Sequence, residues 1–210
     1  MSAAGPSQGA RAPSGGSEDT SVPSVGATFA RSELILGGQR SGKSRRAETL
    51  ARTWLAQSTQ HRAVLIATAH AGDEEMRARI AYHQRERALR VPGLATVEEP
   101  LQLDQALAAH SRADTLIVVD CLTLWLTNHL MPASGTAGEP PIEPMLQALR
   151  SAPGPVVLVG NEIGLGVIPM GREVRDFVDT LGRLNQDTAR VCERVTFMAA
   201  GLPLTLKGTP

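Results

Sequence analysis

"ILGGQRSGKS", Ile35 to Ser44, is an apolar run that ends in paired glycines and closes on a third glycine, a lysine and a serine. From Gly37 to Ser44 the spacing is G-x-x-x-x-G-K-S, the phosphate-loop pattern. Each residue type has a physical reason to be there. Glycines let main-chain N–H groups turn inward around phosphate oxygens with no Cβ in the way. Gly38, Gln39, Arg40 and Ser41 supply the intervening backbone. Lys43 can reach β- and γ-phosphates, the Ser44 hydroxyl can ligate Mg²⁺, and a following helix adds the positive end of its dipole. The context agrees: Leu34–Leu36 reads as a buried strand and Arg45–Ala56 as a helix. The competing reading is a glycine-rich turn with an incidental lysine.

Outward from this loop, apolar strands alternate with helical periodicities. Strands are expected at Leu34–Leu36, Ala63–Thr68, Thr115–Asp120, Pro155–Gly160 and Val195–Ala199, with a short last one at Pro203–Lys207. Helices are expected at Arg45–Ala56, Asp73–Arg90, Leu101–His110, Leu122–Leu130, Ile142–Ser151 and Arg172–Cys192. Continuous apolar strands separated by helices define an α/β protein of the P-loop NTPase-like class. Its sheet is mostly parallel with helices on both faces, and the last strand forms an antiparallel C-terminal edge. "PASGTAGEPP", Pro132–Pro141, reads as a loop.

The 210 residues suit one domain with an appendage. Residues 1–32 are rich in Gly, Ser, Ala and Pro and cannot bury enough apolar surface to offset their ordering entropy, so a disordered tail is expected there, with the folded domain over 33–210. With 21 Lys+Arg against 21 Asp+Glu, the chain has no net charge and offers no argument for a nucleic-acid partner. Two cysteines, Cys121 and Cys192, lack metal-ligand spacing and fit a reduced, cytoplasmic setting. No apolar run has the length of a membrane span, and no signal peptide is visible. Basic residues crowd the first half: Arg40, Lys43, Arg45, Arg46 and Arg52, then Arg77, Arg79, Arg85, Arg87 and Arg90. Each alone is a solvated face; together they suit a polyphosphate.

"TLIVVD", Thr115–Asp120, is an apolar strand ending in a carboxylate, the place where P-loop proteins hold Mg²⁺. Asp120 has an alternative role as N-cap of the helix that follows. A regulatory GTPase would need Asn-Lys-x-Asp after a later strand, and "VGNEIGLGVIP", Val159–Pro169, has no such sequence. Its Asn161-Glu162 pair can position a substrate or cap a loop. In "DEEMRARIAYHQRER", Asp73–Arg87, Met76, Ile80, His83 and Arg87 share one helical stripe. A histidine on such a stripe is commonly a core residue. Beside a polyphosphate site, however, a neutral imidazole is a competent nucleophile towards phosphorus.

Taken together, "LGGQRSGKSRRAE", "LIATA", "DEEMRARIAYHQRER", "TVEEP", "VDCLTLWLTN", "VGNEIGLGVIP" and "LGRLNQDTARVCERVTFMAAGLPLTLKG" resemble the bifunctional adenosylcobinamide kinase / adenosylcobinamide-phosphate guanylyltransferase family of cobalamin biosynthesis. The resemblance spans Glu33 to Gly208. It implies a nucleotide-binding loop at Gly37–Ser44 and nucleotide contacts at Ala67, Thr68 and Ala69. It places the guanylylated histidine at His83, with Gln84, Arg85, Glu86 and Arg87 contacting the nucleotide just after it. Glu98 and Asp120 fall on two further acidic positions of the nucleotide site. The resemblance also implies a homotrimer, Mg²⁺ as cofactor, GTP and ATP as substrates, and adenosylcobinamide and its phosphate as the partners acted on. One departure is local. Ala88 stands where the family has a proline, and "LRVPGLATVEEP" lacks the family's tryptophan, which leaves open the course of the chain before Glu98.

The implied chemistry has two parts. A nucleoside triphosphate phosphorylates the aminopropanol hydroxyl of adenosylcobinamide, with Lys43 and Mg²⁺ (Ser44, Asp120) neutralising charge. His83 then takes GMP from GTP and passes it to the new phosphate. The alternative is a P-loop small-molecule kinase without nucleotidyl transfer, in which His83 is structural.

Overall fold

The computed structural model describes residues 29–70, 85, 87, 89–132, 135–167 and 169–209. Seven strands form one sheet: β1 (Ser32–Gly37), β2 (Arg62–Ala67), β3 (Leu94–Glu98), β4 (Thr115–Val119), β5 (Val156–Val159), β6 (Arg194–Ala199) and β7 (Leu202–Lys207). Their order is β3-β2-β4-β5-β1-β6-β7, and every pairing is parallel except β6 with β7. The named helices are α1 (Lys43–Gln57), α2 (Leu103–His110), α3 (Leu122–Leu130), α4 (Ile142–Ser151) and α5 (Arg172–Val191).

The two-residue period of the strands divides the core into two layers. On one face Ile35, Leu65, Val118, Val157 and Val159 pack against Ala47, Ala51 and Trp54 of α1. On the other, Leu34, Leu36, Ile117, Val119 and Leu158 meet Leu107 of α2, Trp125 of α3, Leu146 of α4 and Leu184 of α5. Because both faces are covered, the central strands are apolar without alternation. Arg85, Arg87, Leu89 and Arg90 have helical backbone. Arg87 and Arg90 lie against buried Glu48 of α1, at 3.9 and 3.5 Å. The rest of the expected helix, Asp73–Gln84, lies outside the described residues.

Three sequence expectations need adjustment. First, "LATVE" is a strand, β3, paired with β2 through Ala63↔Leu94 to Ala67↔Glu98. Ala95 and Thr96 are exposed on this outer strand, so no apolar alternation announces it. Second, packing begins before Glu33. Phe29 meets Trp54 edge-on at 5.4 Å, the Arg31 N–H donates to Glu193 at 2.7 Å, and Ser32 opens β1. Residues 1–28, most of the expected tail, lie outside the described residues. Third, Arg46 belongs to the scaffold: it pairs with buried Glu33 at 2.8 Å. The Thr196 hydroxyl donates to the same Glu33 oxygen, and Arg194 approaches the other at 3.5 Å. A carboxylate at 2% exposure is tolerated only with such partners.

The strand order has a consequence for function. In open parallel sheets ligands bind beyond the carboxyl ends of the strands, where connections leave in opposite directions. Here that edge carries Gly37 at the end of β1, Asn161 after β5, Asp120 after β4, Thr68 after β2 and Glu98 at the end of β3.

Candidate functional site

The loop after β1 is wedged into the sheet edge. Gly37 has φ 151° and Gly42 φ 103°. A Cβ at Gly37 would stand 2.4 Å from the Met198 carbonyl oxygen and 2.7 Å from Ser41 Oγ, so only glycine fits. Arg40 also has positive φ, 56°. The Gly201 N–H donates to the Ser41 carbonyl at 3.0 Å, seating the loop on the β6–β7 turn. Lys43 is buried, and its ammonium donates to the carbonyls of Gly37 (2.9 Å) and Gly38 (2.6 Å). Burial lowers its pKa from the usual lysine range.

Two features suit this loop to an anion. Helix α1 starts at Lys43 with no side-chain cap and no acid in its first turn, although Lys43 and Arg45 sit there and Arg46 is already paired with Glu33. Basic residues at the positive end of a helix dipole are unfavourable unless an anion joins them. In addition, the buried Ser41 hydroxyl has no hydrogen-bond partner among the described residues.

Asp120 follows β4 and does not cap α3. The N-cap is Cys121, whose sulfur accepts from the Leu124 N–H at 3.4 Å. The Asp120 carboxylate is instead held by Thr68, whose N–H (3.0 Å) and hydroxyl (3.1 Å) both point at Oδ1. The same hydroxyl reaches the Cys121 carbonyl at 2.7 Å. Thr68 is fully buried, so its side chain serves Asp120. Sequence reasoning offered no signal for this role, because it arises from the pairing of β2 with β4. Asn128 of α3 in turn donates to the Thr68 and Pro100 carbonyls at 2.7 and 3.0 Å.

Burial raises the Asp120 pKa above the usual carboxylate range, opposed by Thr68 and by the charge of Arg87. The sign follows directly. The unfolded chain ionises this carboxyl at lower pH than the folded one, so the group costs stability as pH rises through its folded pKa. Asp120→Asn is therefore expected to melt later than the parent at neutral pH, and the gap should close as pH falls towards about 4. Phosphoryl transfer should drop on the order of 10²–10³-fold in the same protein. Calorimetry beside a kinase assay checks this; a variant that melts earlier yet keeps its turnover would favour a structural role.

Among the other expected residues, Ala67 is buried at the end of β2, Ala69 is half-buried two residues on, and Glu98 is exposed opposite Ala67. Gly38, Gln39 and Ser44 lie in and just after the loop, at its solvent side. Arg85 is exposed, whereas Arg87 is largely buried between Glu48 and the neighbourhood of Asp120. His83, Gln84 and Glu86 lie outside the described residues. The Asn161-Glu162 pair joins the site: the Glu162 N–H donates to the Gly37 carbonyl at 3.1 Å. A cleft of about 910 Å³ between Leu130, Pro140, Glu143 and Arg183 contains none of these residues.

One hydroxyl (Ser44) and one carboxylate (Asp120) suit Mg²⁺. This ion keeps several waters and takes one or two protein oxygens together with substrate phosphates. No cluster of three or more His, Cys, Asp or Glu occurs among the described residues.

The loop, the strand order and the acid after β4 define a P-loop α/β protein. FlaH, the flagellar accessory protein of Methanocaldococcus jannaschii, shares the fold, with a TM-score of 0.51 at 13% identity over 88% of this chain and 82% of that one. Residues 33–206 match the model of the cobinamide kinase / cobinamide phosphate guanyltransferase family, and the chain belongs to that family. It is 50% identical over 179 residues to the bifunctional adenosylcobalamin biosynthesis protein CobP of Pseudomonas aeruginosa, covering 85% of this chain and 98% of that protein. The bifunctional adenosylcobalamin biosynthesis protein CobU of Escherichia coli is 33% identical over 187 residues, with 83% and 98% covered. The family's two activities make the chain a transferase of both phosphoryl and nucleotidyl groups. Among the described residues no helix is long and apolar enough to cross a membrane.

Proposed function

We propose that the chain phosphorylates adenosylcobinamide on its aminopropanol hydroxyl with ATP or GTP, then transfers GMP from GTP through a guanylyl-histidine at His83 to give adenosylcobinamide-GDP. The observation that carries the reading is the position of Arg87. Four residues after His83, its side chain packs against Glu48 of α1 and its charge acts on Asp120. Arg87 therefore lies between the helix that follows the phosphate loop and Asp120, which supports two reactions on one nucleotide site.

In the first reaction the γ-phosphoryl passes from the nucleotide to the acceptor hydroxyl. The Gly37–Ser44 main chain orients the phosphates and the Lys43 ammonium neutralises charge as it builds up on the leaving group. Ser44 and Asp120 would hold Mg²⁺, which when bound would supply further charge neutralisation. Thr68 keeps the Asp120 carboxylate turned to the site. In the second reaction the His83 imidazole attacks the α-phosphorus of GTP and pyrophosphate leaves; the acceptor phosphate then displaces histidine. Two displacements replace one difficult encounter between anions.

The resemblance also implies a cytoplasmic homotrimer. The exposed Leu202, Leu204 and Leu206 of β7 support association between copies. Both cysteines are free, which supports a reducing compartment. Incubating the protein with adenosylcobinamide, ATP, GTP and Mg²⁺ should give first the phosphate and then the GDP derivative by mass spectrometry. A reaction that stops at the phosphate with GTP in excess supports the kinase-only alternative.

A further inference from the structure

The segment after β5 is held by its main chain and presents apolar side chains to water. The Asn161 N–H donates to the Thr123 hydroxyl at 2.9 Å, and its carbonyl accepts from Asn185 at 3.2 Å. The Glu162 N–H is tied to the Gly37 carbonyl, and one Glu162 carboxylate oxygen accepts the Gly164 N–H at 2.8 Å. At the far end the Arg175 guanidinium donates to the carbonyls of Pro169 and Met170. Between these ties Leu165 is 79% exposed and Val167 and Met170 are each 97% exposed, with Ile163 and Val174 beside them in sequence also exposed. Connecting segments ordinarily turn polar groups outward, and a pinned backbone carrying several exposed aliphatics marks a binding surface.

We propose that this segment is the acceptor site of the kinase reaction. Its aliphatic side chains hold the body of a large acceptor with an apolar face, and Glu162 receives the proton of the acceptor's hydroxyl. The inference rests on the kinase reading above and deepens it. What selects a substrate over a second copy of the chain is continuity with the phosphate loop. β5 lies between β1 and β4, so Asn161-Glu162 emerges between Gly37 and Asp120, the two places the phosphates and their metal need. An acceptor must approach the terminal phosphoryl from outside this cradle, and the aliphatics begin one residue beyond the tie to Gly37. The carboxylate has the capacity as well: it has about four acceptor positions, and the Gly164 N–H takes one. In the step, the hydroxyl oxygen forms a bond to the γ-phosphorus and the bond from that phosphorus to the β–γ bridging oxygen breaks. The nucleoside diphosphate leaves with the electron pair, and the hydroxyl proton passes to the Glu162 carboxylate and from there to water.

The test uses the full chain with ATP, Mg²⁺ and adenosylcobinamide, and separates KM from kcat. The double variant Leu165→Ser/Val167→Ser should raise the acceptor KM about 10- to 100-fold through lost apolar contact, with nucleotide KM and particle mass unchanged. Glu162→Gln keeps an oxygen for the Gly164 N–H and should lower kcat by about 10²–10⁴-fold, the range for losing a general base, with little change in KM. An unchanged acceptor KM overturns the proposal. So does a double variant that loses oligomer mass while keeping its KM, since the aliphatics would then face another copy. A Glu162→Gln protein with parental kcat overturns the assigned proton acceptor. An unsubstituted protein that fails to phosphorylate adenosylcobinamide sinks the underlying kinase reading instead, so the two failures are distinguishable.

Discussion

Incubated with α-labelled GTP and Mg²⁺, the His83→Asn protein should stay unlabelled while the parent chain acquires covalent GMP. The bond in the parent should break in acid and survive base, as a phosphoramidate does and a phosphoserine or phosphotyrosine ester does not. A nucleophilic imidazole needs its lone pair, so labelling should fade as pH falls below the ordinary histidine range of about 6–7. The effect is all-or-none because the covalent step has no substitute: asparagine preserves size and polarity but forms no stable bond to phosphorus. Phosphorylation of adenosylcobinamide, which the proposed mechanism assigns to Lys43 and Asp120, should persist at least in part. Label appearing on His83→Asn and lost instead on substitution of His61, His70, His110 or His129 would show that the nucleophile is elsewhere. His61 is already engaged in the scaffold, where its ring stacks on Trp54 at 3.8 Å and bonds to the Trp54 carbonyl. His129 likewise reaches the Leu101 carbonyl at 3.1 Å.

Lys43→Ala should lower kinase turnover by roughly 10²–10³-fold, the scale for losing one preorganised charge donor, in a protein that remains folded. The structure explains why the fold should tolerate the change. Burial disfavours the charged form of Lys43, so its ammonium does not drive folding. The carbonyls of Gly37 and Gly38 that it meets keep other donors without it, the N–H groups of Glu162 and Ser41. A steady-state assay beside a thermal melt decides the matter. Loss of cooperative unfolding, or parental turnover, would refute a role confined to phosphates.

The parts of this site that could be read from the sequence are those fixed by local chemistry. Gly37 to Ser44 announces itself because an inward-facing backbone needs glycine and the charge needs lysine within one short run. Strands β4 and β5 and the Leu34–Leu36 part of β1 are equally plain, since burial on both faces makes them continuously apolar. β3 was not legible. Its five residues are held by main-chain pairing to β2 at the sheet margin, and exposed Ala95 and Thr96 leave no pattern to read. Its position resolves the course of the chain before Glu98. The role of Thr68 was hidden for another reason. Its partner Asp120 is distant in sequence and comes beside it only when β2 pairs with β4. The arginines show the limit of composition: Arg46 and Arg90 neutralise Glu33 and Glu48 inside the scaffold, and only a structure separates these from an arginine beside Asp120.

The seat of the phosphate loop bears on the order in which the protein can be made. Gly37 lies beside Met198 and Gly42 beside Gly201 with little or no room for a Cβ between them, and the Ser41 carbonyl is tied to the Gly201 amide. The loop therefore leaves the ribosome well before the turn that braces it. Until residues 198–201 have been synthesised and released, β1 lacks its β6 neighbour and the loop has no wall behind it. The loop of a nascent chain thus reaches competence only once that turn has been made. A message cut short before that turn would yield a chain that retains every residue of the phosphate motif and cannot hold it in shape.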